Sequence, residues 1–250
     1  MYKKLFTLFI LISLNLAFAN QVQEQFDTAN KLYQEKQFED AIETYEKIIL
    51  AGFESGDLYF NLGNAYYKTG NIARSRLNYE RALLWMEGDD DLAQNLELLK
   101  LRLVDQIEPT PKIFISAWWE KLLKLFNMDL LGYFVLGLLW LTLVLASLLL
   151  HYRKRGLNRF KTVFVLSLIL WILIGTIWIS KIYQFETENY GIILKSTVTI
   201  HSEPAEDATE LFVIHEGTKV QIEGKTDSWF EIRLEDGKTG WLMFDAVEII

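Results

Sequence analysis

Two long apolar runs separated by a short basic link constrain this chain more than any other feature. Leu130–Leu150 holds twenty-one residues without a charge, and Val163–Ser180 holds eighteen. A helix needs about 20 apolar residues to cross a hydrocarbon core roughly 30 Å thick. In lipid every backbone polar group must be bonded internally, so helices are the expected state of both runs. The link His151–Thr162 carries Arg153, Lys154, Arg155, Arg159 and Lys161 and no acidic residue. Lys and Arg collect in cytoplasmic loops, so the link is expected to face the cytoplasm and to place both flanking polar segments on the opposite side. The alternative is a pair of buried helices in a soluble core; the basic flanks and the run lengths independently favour a membrane hairpin.

A third apolar run agrees with that topology. Lys3 and Lys4 precede Leu5–Leu16, and Ala17-Phe18-Ala19 forms a small-x-small pattern. Residues 1–19 therefore read as a secretory signal peptide, with an uncleaved anchor as the rival. Either one exports the segment that follows.

Charge and residue content narrow the function classes. Residues 20–127 hold eighteen acidic and twelve basic side chains, a net of −6, and residues 184–250 hold fourteen and five, a net of −9. Acidic surfaces repel phosphates, so nucleic acid is not an expected partner. With no cysteine, disulfides, thiolate metal sites and cysteine nucleophiles are excluded. The three histidines, His151, His201 and His215, have no second histidine or carboxylate at metal-helix spacing, and no phosphate loop or nucleophile elbow occurs. Asp89-Asp90-Asp91 precedes an expected helix, where negative charge suits the positive end of the dipole better than it argues for a cation. The expected protein is not an enzyme and has no cofactor or metal.

The segment before the first span repeats. Shifting Phe26–Leu50 by thirty-four residues onto Phe60–Leu84 matches Ala29 with Gly63, Asn30 with Asn64, Tyr33 with Tyr67, Ala41 with Ser75 and Tyr45 with Tyr79. Paired helices with this period resemble tetratricopeptide repeats, with N-L-G-N-A-Y-Y-K-T-G-N at 61–71 close to the family pattern. Small residues at Ala29/Gly63 and Ala41/Ser75 let paired helices approach, and Tyr45/Tyr79 fill the space to the neighbouring pair. Lys36 stands where the first repeat would carry its turn glycine. Asp91–Ile107 is expected to form a capping helix with Leu92, Leu96, Leu99 and Leu103 on one stripe. The resemblance implies a short groove for a peptide or protein terminus, lined by Asn30, Tyr33, Gln34, Asn64, Tyr67 and Lys68. Tyr33 and Tyr67 serve equally well as packing between repeats, whereas the asparagines suit an extended backbone.

Past Pro109 and Pro111, Ile113–Met128 places Trp118, Leu122, Leu125 and Phe126 on one helical face. That pattern fits an amphipathic helix at the external membrane interface, the alternative being a plain linker. After the second span the pattern shortens to strand-like runs at Thr197–His201, Lys219–Glu223 and Trp229–Leu234, with a tight turn at Asp236-Gly237. Gly191–Val247 resembles bacterial SH3-like domains through Pro204, Gly217, Trp229, Gly237, Gly240 and Trp241. Trp229 and Trp241 are candidate surface contacts there, with Trp229 leaning toward the core.

The expected fold is thus a multidomain membrane protein. It joins an all-α tetratricopeptide solenoid, a two-helix transmembrane hairpin and a small all-β SH3-like barrel. Its divisions are 1–19, 20–107, a linker and interfacial helix at 108–128, spans at 129–150 and 163–183 around the 151–162 loop, and 190–250. This order, with I-L-K-S-T-V-T-I-H-S-E-P and F-V-I-H-E-G-T-K-V, resembles the BatE-type proteins of Bacteroides aerotolerance operons. The resemblance implies an inner-membrane assembly with von Willebrand-type membrane proteins and a MoxR-type ATPase, acting in tolerance of oxidative or envelope stress. The expected function is a noncatalytic scaffold that binds envelope proteins through two periplasmic modules. The alternative is a cell-wall sensor whose SH3-like domain binds peptidoglycan peptide.

Overall fold

The computed structural model describes residues 20–111, 114–124, 126–152, 158–187 and 189–250. The expected signal peptide, and Arg153, Lys154 and Arg155 of the basic link, lie outside these residues. The chain forms two compact units: residues up to Thr110 join Asn189–Ile250, and Pro111–Glu188 form the other.

In the first unit α1 (20–34), α2 (Phe38–Leu50), α3 (Gly56–Thr69), α4 (Ile72–Leu83) and α5 (Asp90–Lys100) follow one another with short connections. Side chains define their ends. Ser55 Oγ accepts from Leu58 N at 3.2 Å, Asn71 Oδ1 from Arg74 N at 3.1 Å, and Asp89 Oδ1 from Leu92 N at 2.9 Å; each satisfies an orphan amide of a first turn. The Asp89–Asp91 run therefore starts a helix. Gly70 closes α3 at φ 83°, and Lys36 takes the equivalent turn at φ 63°.

The small residues sit where the helices touch. Ala29, Ala41 and Ser75 are fully buried. A Cβ on Gly63 would lie 2.6 Å from the Tyr79 ring, and the Ser75 hydroxyl donates to the Gly63 carbonyl at 2.8 Å. The predicted stripe Leu92, Leu96, Leu99 and Leu103 is buried, but α5 ends at Lys100 rather than at Ile107. The following stretch leaves the helix to meet the C-terminal sheet: Ile107 packs on the sheet core, and Thr110 N donates to Glu235 O at 3.0 Å. Pro109 disfavours a helical conformation in the residue before it.

That sheet is antiparallel, with strand order β3-β2-β6-β5-β4-β1-β7. The strands are β1 (Tyr190–Ile193), β2 (Thr197–His201), β3 (Glu210–His215), β4 (Lys219–Lys225), β5 (Trp229–Arg233), β6 (Thr239–Met243) and β7 (Val247–Ile249). Ile193, Val198, Ile200, Ile214, Val220, Phe230, Ile232 and Leu242 come from six of the strands and share one buried core. Asp236-Gly237 turns β5 into β6, with Leu234 N donating to Lys238 O at 2.9 Å and Gly237 at φ 88°.

The second unit holds α6 (Phe114–Lys124), α7 (Met128–His151) and α8 (Asn158–Thr187). Met128–His151 and Asn158–Tyr183 are long and apolar enough to cross a membrane. Leu131, Val135, Thr142 and Leu145 form the buried face of α7, and the Thr142 hydroxyl lies 3.2 Å from that of Ser167. α8 begins at Asn158, so Arg159 and Lys161 stand on its first turns rather than in a loop reaching Thr162. On α6, Phe114, Ile115 and Trp118 are exposed and Leu123, outside the predicted apolar cluster, is buried. The Lys181 ammonium donates to the carbonyls of Leu123 and Phe126 at 3.2 and 2.5 Å.

Candidate protein-interaction surfaces

The six groove candidates divide by what the fold already asks of them. Asn30 Oδ1 accepts from the Tyr45 hydroxyl at 2.6 Å and from Asn61 Nδ2 at 3.0 Å. Asn64 Oδ1 repeats the arrangement, accepting from the Tyr79 hydroxyl at 2.7 Å and from Asn95 Nδ2 at 2.9 Å. Each asparagine thus ties its own helix to the second helix of its pair and to the first helix of the next. Burial pushes the Tyr45 and Tyr79 hydroxyls up, so both remain protonated donors. The paired asparagine oxygens are therefore spent on the fold, each accepting two hydrogen bonds.

Tyr33 is half-buried and edges onto the Phe38 ring with centroids 5.3 Å apart. The Tyr67 ring lies 4.5 Å beneath the Arg102 guanidinium, while Gln34 and Lys68 are exposed. Tyr33, Asn64, Tyr67 and Lys68 meet in one cavity of about 290 Å³, completed by Tyr79, Asn95 and Leu98. Asn30 and Gln34 do not line it. Asn95 and Leu98 escaped the sequence reading, although Asn95 stands thirty-four residues after Asn61 and the repeat period itself pointed there.

A second set of side chains joins the helices to the sheet. Arg76, buried in α4, donates through Nη1 to Gly217 O at 2.7 Å. Buried Glu80 receives Lys219 Nζ at 2.7 Å, and Arg81 Nη2 reaches Glu248 Oε1 at 3.0 Å and Ile249 O at 2.8 Å. After α5, Asp105 accepts from His215 N at 2.6 Å and the Thr218 hydroxyl at 2.7 Å, and its other oxygen lies 2.9 Å from His215 Nδ1. Burial pushes the Asp105 carboxyl up. The His215 ring, the Thr218 hydroxyl and the His215 amide outweigh that effect and hold it below its ordinary value of 3.8. Gly217 is required here twice over: it has φ 81°, and a Cβ would sit 2.6 Å from Leu103 Cδ2. None of these partners was visible from the sequence patterns.

In the sheet, Trp229 is only 8% exposed and meets the His201 ring edge-on with centroids 5.5 Å apart. It is a packing residue, which removes it from the sheet's accessible surface. Trp241 is half-exposed, opposite both Glu231 and His201. Among the described residues no group of three or more His, Cys, Asp or Glu is arranged to hold a metal ion.

Residues 56–89 match the family model of the tetratricopeptide repeat, and residues 196–243 match that of the bacterial SH3 domain. Both are interaction modules. No curated protein matches the chain. Among solved structures, NlpC2 from Trichomonas vaginalis is similar at 17% identity over 26% of this chain and 26% of its own, with a TM-score of 0.23. An NlpC/P60 family protein from Bacillus cereus is similar at 15% identity over 28% of this chain and 23% of its own, with a TM-score of 0.22. The chain therefore spans about a quarter of the length of each.

Proposed function

We propose that the protein is a noncatalytic scaffold of the bacterial inner membrane, whose helical repeats hold a segment of an envelope protein and whose SH3-like domain supplies a second contact. The observation that carries this reading is the division of labour among the helices. The seam with the sheet occupies Arg76, Glu80 and Arg81 of α4, whereas the cavity at Tyr33, Asn64, Tyr67 and Lys68 stays open. Two sites held at fixed separation bind one partner better than either does alone.

The contacts between the helices and the sheet support a topology in which both flanks share one side of the membrane. Asp105 and His215 lie 110 residues apart on either side of the apolar helices, and they meet only if both flanks lie on one side of a membrane. With a cytoplasmic link and an exporting signal peptide, that side is the periplasm. Exposed Leu136, Trp140, Val165 and Leu173 on α7 and α8 favour a lipid surround, since apolar patches of this kind are a hazard in water. By the resemblance noted from domain order, the partners are von Willebrand-type membrane proteins and a MoxR-type ATPase system, within an assembly for aerotolerance or envelope stress.

Site-specific photocrosslinking in intact membranes tests the reading. A crosslinker at Lys68 is expected to capture an envelope protein that one at exposed Glu43 does not. Equal or no capture at both positions would sink the groove. Saturable retention of the full-length protein on purified peptidoglycan would instead favour the cell-wall sensor.

A further inference from the structure

Among the described residues, β3 forms one edge of the sheet. β3 pairs with β2 and ends the strand order. The His215 amide donates to Asp105 Oδ2 rather than to a strand, so it points away from β2. By the two-residue period of a strand, the Val213 amide faces the same edge. Phe212 and Ile214 turn into the core, while Leu211 and Val213 are 49% and 46% exposed. Sheet edges are ordinarily blunted by a lysine, a proline or a bulge. Here the register skips Leu211, since Phe212 stands opposite Ile200 and Glu210 opposite His201. Asp105 takes the His215 amide at the other end. Between them, among the described residues, no strand pairs with Val213 on its outer side.

The charge around this edge has one sign. Residues 201–216 include Glu203, Glu206, Asp207, Glu210 and Glu216, all exposed, and no Lys or Arg. None of the five takes part in an ion pair among the described residues. Lys238, whose ammonium lies 5.9 Å from the Phe212 ring, is already paired with Asp236 at 2.8 Å.

We infer that the β3 edge takes up an extended cationic peptide, alternating Lys or Arg with aliphatic residues, as an added strand. Its main chain bonds the outward amide and carbonyl of Val213, its aliphatic side chains lie against Leu211 and Val213, and its cations face the five carboxylates. The site gives the scaffold's second contact a place and a chemistry. It rests on that reading only for its biological role, since binding here does not depend on the helical groove.

The test uses the full-length protein in an uncharged detergent and a labelled Lys-Val-Lys-Val-Lys-Val peptide, with Glu-Val-Glu-Val-Glu-Val as control. The cationic peptide is expected to bind, to weaken with salt, and to slow amide exchange at Val213. Val213→Pro removes the outward donor at a position where an edge strand tolerates proline, and at least a tenfold loss of affinity is expected. Glu206→Lys with Glu210→Lys leaves the backbone untouched and is expected to weaken binding at least as much. Unchanged exchange in β3, or full affinity in either variant when folded, overturns the inference. Abolition of peptide binding by Leu98→Lys in the groove would do the same while leaving the groove reading standing.

Discussion

Asp105 holds His215 at two points, accepting from its backbone N–H at 2.6 Å and lying 2.9 Å from its ring Nδ1. The second contact requires a proton on Nδ1, because a carboxylate only accepts. The Thr218 hydroxyl is bound by the same group. One carboxylate therefore fastens the end of the helical repeats to the last residue of β3 and to the turn that follows it.

Asp105→Ala is expected to strand the part-buried His215 amide and the hydroxyl of buried Thr218. Leaving such groups unsatisfied costs about 1–3 kcal/mol. Thermal unfolding of the full-length protein in detergent checks this, with a lowered midpoint expected for the unit formed by the repeats and the sheet. A midpoint equal to wild type would show that the seam does not depend on this carboxylate.

Acid should loosen the same seam. The Asp105 carboxyl is held below its ordinary 3.8 in the folded protein, so the folded state binds this proton less readily than the unfolded state does. Its contribution is fully present above pH 3.8 and is lost as pH falls through the lower folded value. Unfolding midpoints measured from pH 6 down to pH 2.5 should drop more for wild type than for Asp105→Asn. Parallel curves would contradict this.

Lys36→Gly should stabilise the first repeat. Lys36 sits at φ 63° in the turn where the second repeat has Gly70 at φ 83°. The left-handed region costs a side-chain-bearing residue about 1–2 kcal/mol, offset in part by the greater chain entropy of glycine. A gain of about 1 kcal/mol, read as a raised midpoint or as slower amide exchange in α1 and α2, is expected.

Gly63→Ala should be destabilising because its Cβ would lie 2.6 Å from the Tyr79 ring, and overpacking costs about 1–3 kcal/mol. Tyr79→Phe keeps that ring and removes only the donor to Asn64, so it should cost about 1 kcal/mol. It should not rescue Gly63→Ala. Denaturant titration of the two single variants and the double variant measures all three values, and a rescue would place the clash elsewhere.

The repeat was legible because its packing rule is local. Ala29, Gly63, Ala41 and Ser75 mark helix contacts, and Tyr45 and Tyr79 fill between them, all at a fixed spacing. The role of Asn30 and Asn64 was not legible, because the same amide can serve a ligand or a neighbouring helix. Only the placement of Tyr45, Asn61, Tyr79 and Asn95 shows that the oxygens are taken. Trp229 was ambiguous for a related reason: a tryptophan in a short strand suits a platform or a core, and its burial against His201 makes it core.

By itself the sequence determined the helical period, the turn at Asp236-Gly237 and two apolar runs long enough for a bilayer. Each is a property of neighbouring residues, expressed in a pattern a few residues long. Only the tertiary structure decided that α5 stops at Lys100, that Asp105 reaches His215, and that Arg76, Glu80 and Arg81 serve the seam while Lys68 stays open. Those outcomes join polar groups more than a hundred residues apart. A charged side chain chooses its partner by which faces dock, and docking is settled by packing across the whole unit.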